Sequence, residues 1–117
     1  MKYLKIYHNP RCSKSRKTLQ IIRDHGVEPE VIEYLKKPPT ESELKKISNL
    51  LGLDPKHFVR INENDFKENG LSEKISDNAA MFELMARFPK VIERPIVISN
   101  DRAIIGRPPE NVLKILT

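Results

Sequence analysis

The stretch IYHNPRCSKSRKT, residues 6–18, holds the one cysteine of the chain, Cys12, with His8 four positions before it and Arg11, Lys14 and Arg16 close on either side. The thiolate is the nucleophilic form of cysteine, and neighbouring cations favour it over the thiol. A lone cysteine is most often a small buried hydrophobe. Here the flanking Arg11, Ser13, Lys14 and Ser15 argue against an apolar core, and the stretch reads as a reactive thiolate at neutral pH. Spacing narrows the chemistry. A Cys-x-x-Cys oxidoreductase resolves a mixed disulfide with its second thiol, but Ser15 stands at that position and no other cysteine exists. Any redox cycle must therefore use an external thiol, either glutathione or a dithiol protein. A Cys-x5-Arg phosphatase loop is excluded as well: Arg16 lies four residues after Cys12, and Thr18 stands six after it.

Arg60, Arg94 and Arg107 are the further residues of interest, because each falls at a loop end and the last two precede Pro95 and Pro108. Planar guanidinium groups grip tetrahedral oxyanions through paired N–H bonds, a geometry that lysine cannot copy. Any one of them alone is an ordinary surface charge. Their expected positions at loop ends near one sheet edge favour an anion site.

The elements that must position these residues follow from periodicity and breakers. Leu4 and Ile6 alternate with Lys5 and Tyr7 in a first strand over 3–8, broken by Asn9-Pro10. A helix is predicted from Ser13 to His25, with Leu19, Ile22 and Ile21 on one face and Gly26 as its stop. Cys12 then falls in the first turn, where unpaired N–H groups and the helix dipole favour an anion. His8, at the end of the preceding strand, is placed to help hold that anion. A second strand is expected at 30–34. Thr40 and Glu43 form a capping-box pair ahead of a helix carrying Leu44, Ile47 and Leu51 and ended by Gly52.

Asp54-Pro55 opens a short helix to about Val59, a further helical segment covers 63–69, and Asp77 caps a helix over 78–88 with Met81, Leu84, Met85 and Phe88 inward. A hairpin over 94–106 turns at Asn100-Asp101, and a last helix carries Val112, Leu113 and Leu116. The order β-α-β, helices, β-hairpin, α is that of a thioredoxin-like α/β domain with a four-stranded mixed sheet, here spanning 1–117 with a helical insertion at about 40–88. In that fold the turn before the third strand carries a cis proline beside the active cysteine; Pro95 is the candidate, and Arg94 would point into the thiolate pocket.

Composition sets the bounds. A chain of 117 residues fits one domain and can bury roughly two-thirds of its unfolded surface, so it needs no metal or disulfide to fold. His8, His25 and His57 are too scattered for a metal site, and His25 and His57 read as surface residues. The net charge of +5 favours anionic substrates, but the basic residues are interspersed with acidic ones and aromatics are only 6%, which argues against nucleic acid. No apolar run approaches the ~20 residues of a membrane span, and the N-terminus has no signal-peptide core. A cytoplasmic protein is expected.

YHNPRCSKSRKT together with FVRINEN, ERPIVI and IGRPPENVL resembles the glutaredoxin-coupled (ArsC-type) arsenate reductase family, over nearly the whole chain and with the spacing kept. The similarity is greatest to short members with CSKSR and IGRPPE. The resemblance implies a thioredoxin-type fold and reduction of arsenate, or a similar oxyanion, to arsenite. Transferred position by position, it makes Cys12 the nucleophile, Arg60, Arg94 and Arg107 the oxyanion-binding arginines, His8 the residue that activates the thiolate, and Ser15 one that hydrogen-bonds it. It implies glutathione as co-substrate, glutaredoxin as partner, and no bound metal or flavin. Better-studied members have Gly-Thr after the cysteine; here stands the larger, charged Ser13-Lys14. Two other readings stay open: a glutathione-dependent thiol oxidoreductase acting on another substrate, and a redox-responsive transcription regulator that binds RNA polymerase. Such regulators often use a Cys-x-x-Cys pair, which ranks that reading lower.

Overall fold

The structure, a computed structural model, describes residues 3–116. It divides into two compact units, one formed by the chain up to Lys37 and from Arg94 onward, the other by Pro38–Glu93. The first unit contains β1 (Leu4–His8), α1 (Ser13–Asp24), β2 (Glu30–Glu33), β3 (Ile96–Ser99), β4 (Arg102–Ile105) and a C-terminal segment. In that segment a 3-10 turn, Pro109–Val112, precedes α5 (Leu113–Leu116). The second unit contains α2 (Glu41–Leu51), α3 (Asn64–Glu68), α4 (Asn78–Arg87) and three 3-10 turns.

The sheet order is β2-β1-β3-β4, with β1 and β2 parallel and both β1–β3 and β3–β4 antiparallel. This is the predicted four-stranded mixed sheet. Its register matters for function. Tyr7 pairs with Ile32 on β2 and with Ile96 on β3, and Ile96 pairs with Ile105 on β4. One row thus crosses all four strands. The residues just beyond it are Glu33, His8, Pro95 and Gly106, at the carboxyl ends of the parallel pair. In open α/β sheets ligands bind at that end of the strands.

Leu4 and Ile6 of β1, Leu19 and Ile22 of α1, Val97 of β3, and Val112 and Ile115 of the C-terminal segment form the core of this unit. Each such aliphatic side chain contributes about 1.5–3 kcal/mol on burial. Gly26, with φ of 77°, turns the chain out of α1, a left-handed conformation that costs a glycine little. The C-terminal segment departs from the expected face. Leu113 is 39% exposed, while Ile115 is 1% exposed and takes the inward place. Val112 and Ile115, three residues apart, share the inward face.

In the second unit α2 packs against α4, and Leu44, Ile47, Phe58, Phe66, Leu71, Met81, Met85, Val91 and Ile92 are buried. Leu51, Leu84 and Phe88, expected inward, are only partly buried. Thr40 makes the full capping box: its hydroxyl accepts from the Glu43 N–H, and the Glu43 carboxylate accepts from the Thr40 N–H, both at 3.1 Å. Asp77 caps α4 by accepting from the Ala80 N–H at 3.1 Å. Asp54 does not cap. It accepts from the Asn78 side chain at 3.3 Å, and Pro55–His57 is a single 3-10 turn rather than a helix to Val59. Gly70 begins a 3-10 turn, Leu71–Lys74, that the sequence did not suggest.

Thr40→Ala is expected to lower stability by about 1 kcal/mol, and Leu44→Ala by about 2–5 kcal/mol because it leaves a cavity. Urea unfolding midpoints should rank the two variants in that order; the reverse ranking would show that α2 is held by its cap more than by its packing.

Candidate active site

The loop between β1 and α1 is closed by its own hydrogen bonds. The Cys12 N–H donates to the Asn9 carbonyl at 3.0 Å, and the Arg11 N–H donates to Asn9 Oδ1 at 3.0 Å. The Asn9 N–H donates to Ser15 Oγ at 3.0 Å. Arg16 Nη1 reaches back to the Pro10 carbonyl at 2.9 Å. Cys12 ends this loop as the N-cap of α1, with φ of −95° and ψ of 121°, and its carbonyl accepts from the Arg16 N–H at 3.0 Å. It stands one residue before the first turn in which the sequence placed it. Its partly buried side chain makes no cap hydrogen bond, at the start of a twelve-residue helix whose leading N–H groups have no intrahelical partner.

His8 and Ser15 meet beneath the loop. His8 Nδ1 lies 2.6 Å from Ser15 Oγ, and both side chains are buried. Burial pushes the His8 imidazole below its ordinary value; Glu33 opposes this by attraction, while Arg23 and Arg16 add to it by repulsion. A neutral ring has one donor and one acceptor nitrogen. The His8–Ser15 hydrogen bond fixes the last residue of β1 to the first turn of α1.

Arg107 approaches from β4. Its Nε donates to the Arg94 carbonyl at 2.9 Å, and its Nη2 makes a long contact of 3.9 Å with Cys12 Sγ. Asn111 Nδ2 holds the Arg107 carbonyl at 3.0 Å. The bonds before Pro95 and before Pro108 are both cis, the first as expected and the second not anticipated. Arg94 contributes the carbonyl that anchors Arg107, a role invisible in its side-chain type.

Arg60 belongs to the second unit. Its N–H donates to the Val91 carbonyl beside the bridge of Val59 with Ile92. Its Nη1 lies 2.7 Å from Glu63 Oε1 and its Nε 3.7 Å from Glu93 Oε1, with all three side chains about a quarter to a third exposed. A cleft of ≈ 540 Å³ opens there, bounded by Arg60, Asn62, Glu63, Asn64 and Glu93.

The structure thus gathers Cys12, His8, Ser15 and Arg107, with the Arg94 carbonyl, at one end of the sheet of the first unit, and describes Arg60 within the second. Sequence reasoning missed Asn9 as the organiser of the loop. It also missed Thr18, buried with its hydroxyl on the Lys14 carbonyl at 2.8 Å. The signal was present: residues 15, 18, 19 and 22 follow the i, i+3, i+4, i+7 pattern of one helix face, but two of them are polar. Among the described residues no cluster of His, Cys, Asp and Glu could hold a metal ion, and no helix is long and apolar enough to cross a membrane.

Comparison with known proteins adds to this geometry. The ArsC family model matches residues 7–115. An arsenate reductase of Neisseria meningitidis is 44% identical over 117 residues, covering 99% of this chain and all of that protein. An uncharacterised Escherichia coli protein, YfgD, is 45% identical over 116 residues, covering 98% of both chains. The solved structure of an arsenate reductase from Vibrio cholerae superposes with a TM-score of 0.93 at 45% identity, covering 97% of this chain and 98% of that one.

His8 gives a pH prediction. Burial holds it below the ordinary histidine value of about 6.5, so beneath that pH the unfolded chain binds more protons than the folded one. The stability is fully present above the unfolded value and is lost as pH falls through the folded value. Between about pH 7.5 and 5.5 the urea midpoint of the wild type is expected to fall more steeply than that of His8→Gln; parallel slopes would show that His8 titrates alike in both states.

Proposed function

The chain belongs to the ArsC family, and we propose that it is an oxidoreductase that reduces arsenate with glutathione and glutaredoxin. The observation that carries this reading is the Arg107 guanidinium, anchored on the Arg94 carbonyl with Nη2 3.9 Å from the Cys12 sulfur at the start of α1. The relatives named arsenate reductase make arsenate the first oxyanion to test.

In this reading the Cys12 thiolate attacks the arsenic of bound arsenate, and an oxygen leaves as water or hydroxide. A glutathione thiol then attacks the arsenic adduct. Arsenic takes two electrons from the thiols and departs as arsenite, and glutaredoxin clears the glutathione linkage that remains. The protein supplies an activated nucleophile and placed positive charge. Arg107 balances the charge of sulfur and substrate. Arg94 is assigned to the same oxyanion. Ser15 and His8 hold the loop that presents the sulfur. A single free thiol and a thiol co-substrate fit a reducing, cytoplasmic setting.

A coupled arsenate assay with glutathione and glutaredoxin tests this. Cys12→Ser is expected to show no turnover. Arg107→Ala removes charge-assisted contacts of about 1.5–3 kcal/mol each, so its kcat/KM should fall by roughly one to two powers of ten. A wild-type protein inert towards arsenate, with Cys12 still alkylated rapidly, would instead support glutathione-dependent thiol exchange on another substrate.

A further inference from the structure

Gly106 is buried just beyond β4. Its backbone is not in the left-handed region, which only Gly26, Gly52 and Gly70 occupy among the described residues. Space, rather than conformational freedom, is what glycine provides here. A Cβ at this position would lie 2.6 Å from Thr18 Oγ1, 3.1 Å from Thr18 Cγ2 and 2.8 Å from Pro95 Cγ. Ordinary carbon contacts begin at about 3.5 Å. Neither neighbour can give way easily. Thr18 is fully buried, and its hydroxyl is tied to the Lys14 carbonyl at 2.8 Å. Turning its stiff, β-branched side chain only exchanges one branch for the other against the same spot. The other contact is the ring of Pro95, buried just before β3.

Two successive residues bond to two successive carbonyls at this place. The Gly106 N–H donates to Pro95 at 2.9 Å, and Arg107 Nε donates to Arg94 at 2.9 Å. Thr18 stands six residues after Cys12, on the helix that Cys12 caps. That is about 9 Å along a rigid rod. Contact between Gly106 and Thr18 therefore registers the end of β4 against the same helix that carries the sulfur.

We infer that Gly106 is a positioning residue, whose bare backbone seats on Thr18 and Pro95 and so sets the reach of the Arg107 guanidinium to Cys12. The inference rests on the reading of Arg107 and Cys12 as one site. Relieving a 2.6 Å clash needs a shift of roughly an ångström. The contact of 3.9 Å is already long, so such a shift takes Arg107 out of range of the sulfur.

The test compares Cys12 alkylation by iodoacetate, an anion, with alkylation by neutral iodoacetamide. The ratio of the two rates reports positive charge near the sulfur and needs no arsenate, so a lost arsenate activity with an unchanged ratio counts against the proposed function and not against the seat. Arg107→Ala defines the fully lowered ratio. Losing one unit charge several ångströms away in water lowers it about threefold, and moving that charge back by roughly an ångström, as Gly106→Ala should, lowers it about 1.4-fold. Thr18→Ala combined with Gly106→Ala should recover at least half of that loss, since it removes both Thr18 atoms and leaves only the Pro95 contact. A folded Gly106→Ala protein with the wild-type ratio overturns the proposal, as does a lowered ratio that the second substitution does not raise. If Gly106→Ala alone fails to fold, the double variant is compared with Thr18→Ala: ratios within about 1.2-fold of each other support the seat, and a wider gap or a double variant that also fails to fold overturns it.

Discussion

A guanidinium tethered by a backbone carbonyl and aimed at a sulfur is the arrangement around which the first unit is built. Free in water, an arginine side chain would lose about 2 kcal/mol of rotamer freedom on meeting an anion. The bond from Arg107 Nε to the Arg94 carbonyl imposes part of that order beforehand. The carbonyl is itself placed by strand register. Ile96 pairs with both Tyr7 and Ile105, so the turn before β3 lies between the end of β1 and the end of β4. A one-residue slip in either pairing would turn the inward side chains outward, and buried Ile6 and Val97 make such a slip costly.

Helix α1 is tied to this sheet by more than oil. Its inward face runs Ser15, Thr18, Leu19 and Ile22, polar at the end nearest Cys12 and apolar further along. A buried hydroxyl without a partner costs about 1–3 kcal/mol, and each here has one: Ser15 meets His8 and Asn9, and Thr18 meets its own helix. These bonds define direction in a way that a wholly apolar face would not. The loop from His8 to Cys12 is consequently held at both ends, by β1 and by α1.

Much of the fold was legible because hydrophobic period and breakers agreed. Strands β1 to β4 and helices α1, α2 and α4 each carried an apolar pattern bounded by glycine, proline or a cap, and the Thr40–Glu43 box formed as its residues required. Failures came at element ends and in short helical segments, as at Leu51 and Phe88. After the 3-10 turn at Pro109–Val112 the short α5 places Ile115 inward and Leu113 outward. In the site, charge and thiol chemistry singled out Cys12 and Arg107. Contributions made by backbone atoms, such as the Asn9 and Arg94 carbonyls, have no side-chain signature, and the emptiness at Gly106 becomes visible only when its neighbours are in place.

The thiol of Cys12, partly buried, has no second thiol in its own chain to close upon. A sulfenic acid formed there by peroxide has no internal disulfide as a refuge. It must be captured by a thiol from another molecule, or it proceeds to the sulfinic stage, where ordinary thiols no longer restore it. The durability of this protein under oxidative load is therefore a property of its surroundings as much as of its fold.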